Sequence, residues 1–335
     1  MQNSTGEPQI VLITGAAGFI GSHLSEYYLK FNYHVIGLDN YLTGSKENIL
    51  ELKEKFPEKF IFFEFDVCHA WSEVHEYLLK KNMRAIQYVF HLASPASPES
   101  YRKYSLETIN VNTVGLFNSL KFADEYKAKL IFSSTSEIYG DPLITPQPES
   151  YFGHVNSFGD RACYDEAKRC GEAIIYAYNK RYNKRHGLVR IFNTYGPRMS
   201  LNDGRVIVNF IKQALNQDAI TVYGDGLQTR SFCYVDDLIC ALDLYAQSEE
   251  CKPMNIGRDE EITIKTVALH VQDISRKLLQ QETNIIFKDL PQDDPRQRRP
   301  DLSLAKDVLS WSAKIDFKKG FESTFAWFLG KHKLN

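Results

Sequence analysis

The chain has no hydrophobic run long enough to cross a bilayer. Its longest apolar stretches, Phe60 to Phe65 and Tyr88 to Ala93, fall far short of the ~20 residues a membrane helix needs. It has no excess of either charge: 40 Lys and Arg against 42 Asp and Glu leave −2, which gives no electrostatic footprint for nucleic acid or an anionic membrane. Cysteine is sparse, six in 335 residues with no CxxC pair, so free thiols in a reducing compartment are expected and not a disulfide framework. The nine histidines show no HExxH or clustered ligand spacing, so no metal is expected. Residues 1–8 are polar and carry Glu7. No signal peptide is expected there, and without secretion the Asn3-Ser4-Thr5 sequon carries no meaning. What remains is a globular composition, 43% apolar and 24% charged, expected to be soluble and cytoplasmic.

Short β-rich runs alternate with helical patterns through the first half. Ile10 to Thr14, His34 to Asp39, Phe60 to Val67, Tyr88 to Ala93 and Lys129 to Ser133 read as strands. Helices are expected from about Phe19, from Glu107 to Lys127 and from Ala162 to Arg185, before a strand at Leu188 to Phe192. Parallel strands need crossover connections, so the alternation predicts an α/β fold, a Rossmann-type doubly wound parallel sheet. After Arg198 it weakens to short strands (Ile220 to Tyr223, Arg230 to Tyr234), helices and a Pro/Asp/Arg-rich loop at Leu290 to Asp301. At about 150 residues per unit the length suggests two units. The expected division is a dinucleotide-binding domain of 1–198 and 229–257, and a smaller, discontinuous C-terminal substrate lobe of 199–228 and 258–335.

Strand one runs into Thr14-Gly15-Ala16-Ala17-Gly18-Phe19-Ile20-Gly21-Ser22-His23. Glycines at Gly15, Gly18 and Gly21 let the backbone turn tightly and approach a pyrophosphate, whose charge meets the N–H groups of the next helix. The second strand ends in Asp39, 18 residues past Gly21. A carboxylate there accepts from a ribose 2′-OH and repels a 2′-phosphate, favouring NAD over NADP; Asp39-Asn40 could instead form a turn or cap.

Oxidising a sugar hydroxyl requires a base, and a tyrosine serves near neutral pH when a nearby cation lowers its pKa. Tyr and Lys four apart share a helix face. Three pairs fit: Tyr77/Lys81, Tyr164/Lys168 and Tyr176/Lys180. Only Tyr164 stands at a helix start after the fifth strand, where strand ends open onto the cleft. That strand leads into Ser133-Ser134-Thr135-Ser136-Glu137, which places the Thr135 hydroxyl beside the same sugar oxygen.

The glycine spacing resembles that of extended short-chain dehydrogenase/reductases. The runs HLASPASPESY (91–101), STSEIYGDP (134–142), YFGHVN (151–156), DRACYDEAKR (160–169), RIFNTYGPRM (190–199), NDGRVIVNFI (202–211) and QDDPRQRRPD (292–301) closely resemble the UDP-glucuronate decarboxylase group of that family. The resemblance covers about Gln9 to Leu329. It implies NAD contacts from Gly15, Gly18, Phe19, Ile20, Gly21, Asp39, Asn40, Thr43, Gly44, Asp66, Val67, Leu92 and Ser94, together with Tyr164 and Lys168. It implies catalysis by Tyr164, Lys168, Thr135, Ser136, Glu137 and Arg298. Substrate contacts are implied from Asn118, Asn193, Arg205, Tyr223, Gln228, Arg230 and Arg298, the last beside the sugar carboxylate. Arg296, Arg298 and Arg299 could also form a solvated loop, and Asn193 could stabilise its own loop. In 4,6-dehydratases the residue after the Thr135 position is an Asp that expels the C6 hydroxyl; Ser136 stands there, which fits a uronate with no such hydroxyl. His91 reads as a packed residue and not a ligand.

The implied chemistry is redox-neutral: oxidation at C4, loss of the carboxylate β to the new ketone, protonation at C5 and reduction at C4. Relatives commonly carry Lys where Asn110 stands, and Cys68-His69-Ala70-Trp71 departs from the usual loop; both differences are expected near the sugar. A 4-epimerase or 4,6-dehydratase of another nucleotide sugar, and an NAD-binding regulator, are the alternatives. The resemblance also implies a homodimer paired through the two long helices, with no nucleic-acid or membrane partner.

Overall fold

Ile10–Thr14 (β1) is buried along its whole length. Its side chains alternate, Val11 and Ile13 entering one core and Ile10 and Leu12 another, as a parallel strand covered on both faces requires. The computed structural model describes residues 9–289 and 298–332. Around β1 it builds one sheet with His34–Asp39 (β2), Phe60–Glu64 (β3), Tyr88–His91 (β4), Lys129–Thr135 (β5), Gly187–Ile191 (β6) and Met254–Ile256 (β7). The order is β7-β6-β5-β4-β1-β2-β3, with every neighbour parallel. This is the doubly wound Rossmann arrangement that the alternation predicts. The chain leaves β1 for β2 on one side while β4 pairs on the other, and the crevice at that reversal is where such sheets bind ligands.

Several local expectations change. The strands at Phe60 and Tyr88 stop early because the chain is then used otherwise: the N–H groups of Leu92 and Ala93 both donate to Thr14 Oγ1 at 3.1 Å. The helix expected over Glu107 to Lys127 is three pieces, Ser105–Asn110, a π-helical Val111–Gly115 and Leu116–Glu125. Arg230 to Tyr234 is not one strand. Thr229–Arg230 pairs antiparallel with Ile262–Thr263, whereas Cys233–Tyr234 pairs parallel with Thr194–Tyr195, so the chain breaks between two partners.

Ile220–Tyr223 pairs with Ile285–Lys288 among the helices Val206–Leu215, Ile264–Leu279 and Phe317–His332. Their apolar faces do not form a core of their own. Val208, Ile211, Val222, Val267, Phe317 and Phe325 belong to the same cluster as Val11, Ile13, Phe90, Ile131 and Met254 of the sheet. Among the described residues no helix is long and apolar enough to cross a membrane. Asp293, Asp294 and Arg296 of the loop singled out above lie outside the described residues, as do the polar 1–8 start and its sequon.

Candidate active site

Two adjoining cavities, about 910 and 230 Å³, open at the carboxyl ends of β1, β2, β4 and β5. Every residue expected to touch the cofactor lines one or the other. The loop after β1 is built for close approach. Gly15 has φ +73°, and a Cβ on it would stand 2.8 Å from Ala93 N; one on Gly21 would stand 2.0 Å from Gly15 O. The Phe19–Lys30 helix begins with no side-chain cap and no acid in its first turn, so its N–H groups are left for an anion. Asp39 orders this loop as well as lining it, Oδ2 accepting from Ala17 N at 3.0 Å and Oδ1 from Tyr41 N at 2.7 Å. Burial pushes its carboxyl up, against those two bonds. A cradle in which added Cβ atoms would collide with backbone, ending at a carboxylate, fits a dinucleotide.

His91 is the hub behind this cradle, as a packed residue. Nδ1 meets Thr14 Oγ1 and Ser119 Oγ at 3.2 and 2.9 Å, and Nε2 meets the Val111 carbonyl of the π-turn at 3.0 Å. Burial, helped by Lys168, pulls it down to about 3, so the ring is neutral.

Tyr164 lies in the first turn of the Ala162–Tyr182 helix and is buried. Its ring stacks on Tyr101 at 4.9 Å and 8°, a partner that sequence reasoning missed. One turn on, the Lys168 ammonium donates to Ser133 O at 2.7 Å and stands 5.8 Å from the Tyr164 ring centre. Burial pulls Lys168 down to about 7. Burial also pushes Tyr164 above the ordinary phenol range, opposed by the Thr135 hydroxyl and Arg205. Thr135 ends β5 and caps the short helix Ser136–Tyr139, accepting from Glu137 N at 3.3 Å. Ser136 lines the larger cavity beside it.

Glu137 sits between two guanidiniums, ion-paired to Arg298 through one oxygen and to Arg161 through the other. Burial disfavours its charge, but the two arginines outweigh burial and hold the carboxyl below its usual range. Asp165 lies 3.6 Å from Arg161 Nε; burial and Glu137 push it up to about 7.

The substrate residues expected from the resemblance divide. Asn193 and Arg205 line the cleft; Asn118, Tyr223, Gln228, Arg230 and Arg298 do not. Asn118 donates to the carbonyls of Val67 and His69 at 3.0 and 3.1 Å, propping the loop on the smaller-cavity side. Tyr223 is 44% exposed and Gln228 donates to its carbonyl at 2.9 Å, while Arg230 donates to Thr229 O at 2.8 Å. The differences at Asn110 and Cys68–Trp71, expected near the sugar, stand outside the lining of the larger cavity. Asn110, Cys68 and His69 line the smaller cavity with Asp39, and Trp71 is core, its indole bonded to Val67 O. Arg161, which sequence reasoning passed over, lines the larger cavity; its place three residues before Tyr164 was the available signal.

Residues 11–257 match the NAD dependent epimerase/dehydratase family. The chain is 42% identical over 328 residues to UDP-glucuronic acid decarboxylase 5 of Arabidopsis thaliana, covering 96% of this chain and 91% of that protein. To UDP-glucuronic acid decarboxylase 1 of Danio rerio it is 42% identical, covering 95% and 72%. The solved UDP-glucuronic acid 4-epimerase from Bacillus cereus, in complex with UDP-glucuronic acid and NAD, aligns with a TM-score of 0.80 at 26% identity, over 96% of this chain and 100% of that one. With a family match reaching all seven strands of the sheet and a decarboxylase matched nearly end to end, the chain belongs to the NAD dependent epimerase/dehydratase family, in the branch of the UDP-glucuronic acid decarboxylases.

Proposed function

We propose that this protein is an NAD-dependent carboxy-lyase that converts UDP-glucuronate to UDP-xylose and CO₂. The observation that carries the reading is the meeting, in one cleft, of Tyr164 and Thr135 with the arginine-bound Glu137, where Ser136 takes the place of the dehydratase acid. The reaction balances as loss of the carboxylate as CO₂ and gain of one proton at C5. The glycine loop, Asp39 and the smaller cavity would hold NAD. When bound, NAD would supply the acceptor for the C4 hydride and, once C5 is protonated, the donor that returns it to C4, and in its oxidised form a positive charge that favours the phenolate.

Tyr164 takes the O4 proton, Lys168 holds the strand end through Ser133 O, and Thr135 keeps the phenol oriented. Once C4 is a ketone, the carboxylate is β to it, and the electrons left by CO₂ spread into an enolate. Hydrogen bonds from Tyr164 and Thr135 stabilise that oxygen as its charge grows. Glu137 and Arg298, joined as an ion pair, organise the protonation at C5. The same reading takes 199–228 and 258–335 as the sugar-nucleotide side of the cleft. Exposed Leu106, Val114, Phe117 and Tyr176 on the two long helical stretches support a homodimer, and six free cysteines support a cytoplasmic site.

The test is incubation with UDP-glucuronate, with and without NAD, following products by NMR together with CO₂ release. UDP-xylose with stoichiometric CO₂ supports the reading. The likeness to the Bacillus cereus epimerase favours a second one, 4-epimerisation of the same carboxylated sugar, for which a C4 epimer without CO₂ would be the outcome.

A further inference from the structure

Tyr164, Lys168 and Glu172 recur at every fourth position of the Ala162–Tyr182 helix, which puts them on one face. Each meets the end of β5. Tyr164 meets the Thr135 hydroxyl, Lys168 donates to Ser133 O at 2.7 Å, and Glu172 Oε1 accepts from Ser134 Oγ at 2.5 Å. The helix lies close on the strand there, for a Cβ on Gly171 would stand 2.6 Å from the Phe132 ring. Ser134 lines the larger cavity; Glu172 lines neither, so the mechanism leaves it unused.

Glu172 is also half of a largely buried ion pair. Ser134 stands opposite Arg190 across the β5–β6 ladder. The Arg190 guanidinium meets Glu172 with two nitrogens, Nε to Oε1 at 3.0 Å and Nη2 to Oε2 at 2.8 Å. Its Nη1 donates to Glu149 O and to the Tyr139 hydroxyl, both at 2.9 Å. That hydroxyl donates to Asn255 Oδ1 at 2.8 Å. Tyr139 ends the short helix that carries Glu137. Asn255 Nδ2 donates to Gln147 O and Asp301 O at 2.9 and 3.2 Å, holding the segment that carries Arg298. Arg190, Tyr139 and Asn255 line neither cavity. One ion pair thus stands where three carriers of the site meet: the helix of Tyr164, the turn of Glu137 and the segment of Arg298.

We propose that Glu172 and Arg190 are positioning residues for the reaction. Glu172, through Ser134, sets the register of the helix against β5 and so the place of the Tyr164 hydroxyl. Arg190, through Tyr139 and Asn255, holds the Glu137–Arg298 pair in a fixed relation to it. The second half rests on the uronate reading above; the first does not, since removal of hydride from C4 is common to decarboxylation and epimerisation. A buried ion pair adds little net stability over packed apolar groups, but its bonds are directional. A helix advances about 1.5 Å per residue, and a misplacement of about 1 Å at a reacting group costs about 10²-fold in rate.

Rapid mixing of the NAD-loaded protein with UDP-glucuronate tests it, following absorbance of the reduced nicotinamide and CO₂ release in parallel. Glu172→Asp keeps the charge facing Arg190 and draws the carboxylate back by one methylene. Ser134→Ala removes the other partner and keeps the ion pair, and it reports alone should Glu172→Asp not fold. Each is expected to slow the appearance of reduced nicotinamide about 3- to 10-fold, with substrate KM and NAD Kd within about twofold. The double variant should be no slower than the slower single. Tyr139→Phe is expected to leave that first phase within about twofold and to slow CO₂ release about 3- to 10-fold. Variants that lose Tm at unchanged rates overturn the proposal, as do effects that multiply in the double variant, which would put Ser134 on the substrate; wild-type CO₂ release keeps the decarboxylase reading in either case. A wild type that reduces nicotinamide without releasing CO₂ refutes that reading, and the Tyr139 half with it, while a slowed first phase in Glu172→Asp still supports the helix half.

Discussion

Replacing Gly21 by alanine tests the dinucleotide cradle at its tightest point. The new Cβ would lie 2.0 Å from the Gly15 carbonyl oxygen, against an ordinary carbon–oxygen contact of about 3.4 Å, so one segment must retreat by roughly 1.4 Å. The loop has little room for that, because Gly15 N donates to Leu38 O at 2.8 Å and even a Cβ on Gly15 would meet Ala93 N at 2.8 Å. Retreat takes the loop and the first turn of the helix out of register with a pyrophosphate. Losing two charge-assisted N–H bonds at about 1.5–3 kcal/mol each weakens NAD by about 10²- to 10⁴-fold, and overpacking costs about 1–3 kcal/mol of stability. Gly330, with nothing within 4 Å of its added Cβ, is the internal control: Gly330→Ala should stabilise its helix by up to about 1 kcal/mol and leave NAD untouched. The assay is NAD content as purified, Kd on the stripped protein, and Tm. A Gly21→Ala protein that binds NAD within about threefold of wild type would show that the loop does not touch the phosphates.

Tyr164→Phe keeps the stack on Tyr101 and removes only the hydroxyl. CO₂ release should fall about 10²- to 10⁴-fold with NAD affinity and Tm nearly unchanged; residual activity above a tenth would displace Tyr164 as the base. Lys168, held at about 7 by burial instead of 10.5, keeps its proton when unfolded across pH 7 to 10.5 and loses it when folded, so the wild-type fold gains stability as pH rises through that window. Lys168→Met should therefore raise Tm at pH 7 by removing a penalty of up to about 5 kcal/mol, with the gain shrinking toward pH 10.5, while activity is lost; an equal or lower Tm at pH 7 would show the ammonium to be well solvated. His91, pulled from 6.5 to about 3, makes the fold lose stability as pH falls from 6.5 toward 3, and His91→Asn should flatten that slope in a urea titration. A slope unchanged in His91→Asn would assign the acid sensitivity elsewhere.

The central strands were legible because they are buried on both faces and punctuated by glycine loops, and Tyr164 was separable from its two rivals by place alone. In the fold Tyr77 packs on Phe63 and Tyr176 is largely exposed, neither facing the cleft. What could not be read is which of several guanidiniums turns toward the cavity. That depends on the 298–301 segment docking on the loop after β5, where Gln147 and Arg299 exchange bonds, and such long-range pairing has no local period. The same holds for Asn118, whose partners lie about 50 residues away. The π-turn at Val111–Gly115 leaves no mark in the hydrophobic pattern, because the residues before and after it remain helical.

The single apolar cluster that joins the sheet to the C-terminal helices offers no hinge among the described residues along which the banks of the cleft could part. The rim of the cleft runs along the 42–45 loop and the Trp327–Lys331 end of the last helix. In the redox-neutral cycle proposed above, a bound dinucleotide takes the hydride from C4 and gives it back, so one molecule would serve successive turnovers. The pace of such a cycle would follow the supply of sugar nucleotide and not the ratio of oxidised to reduced dinucleotide.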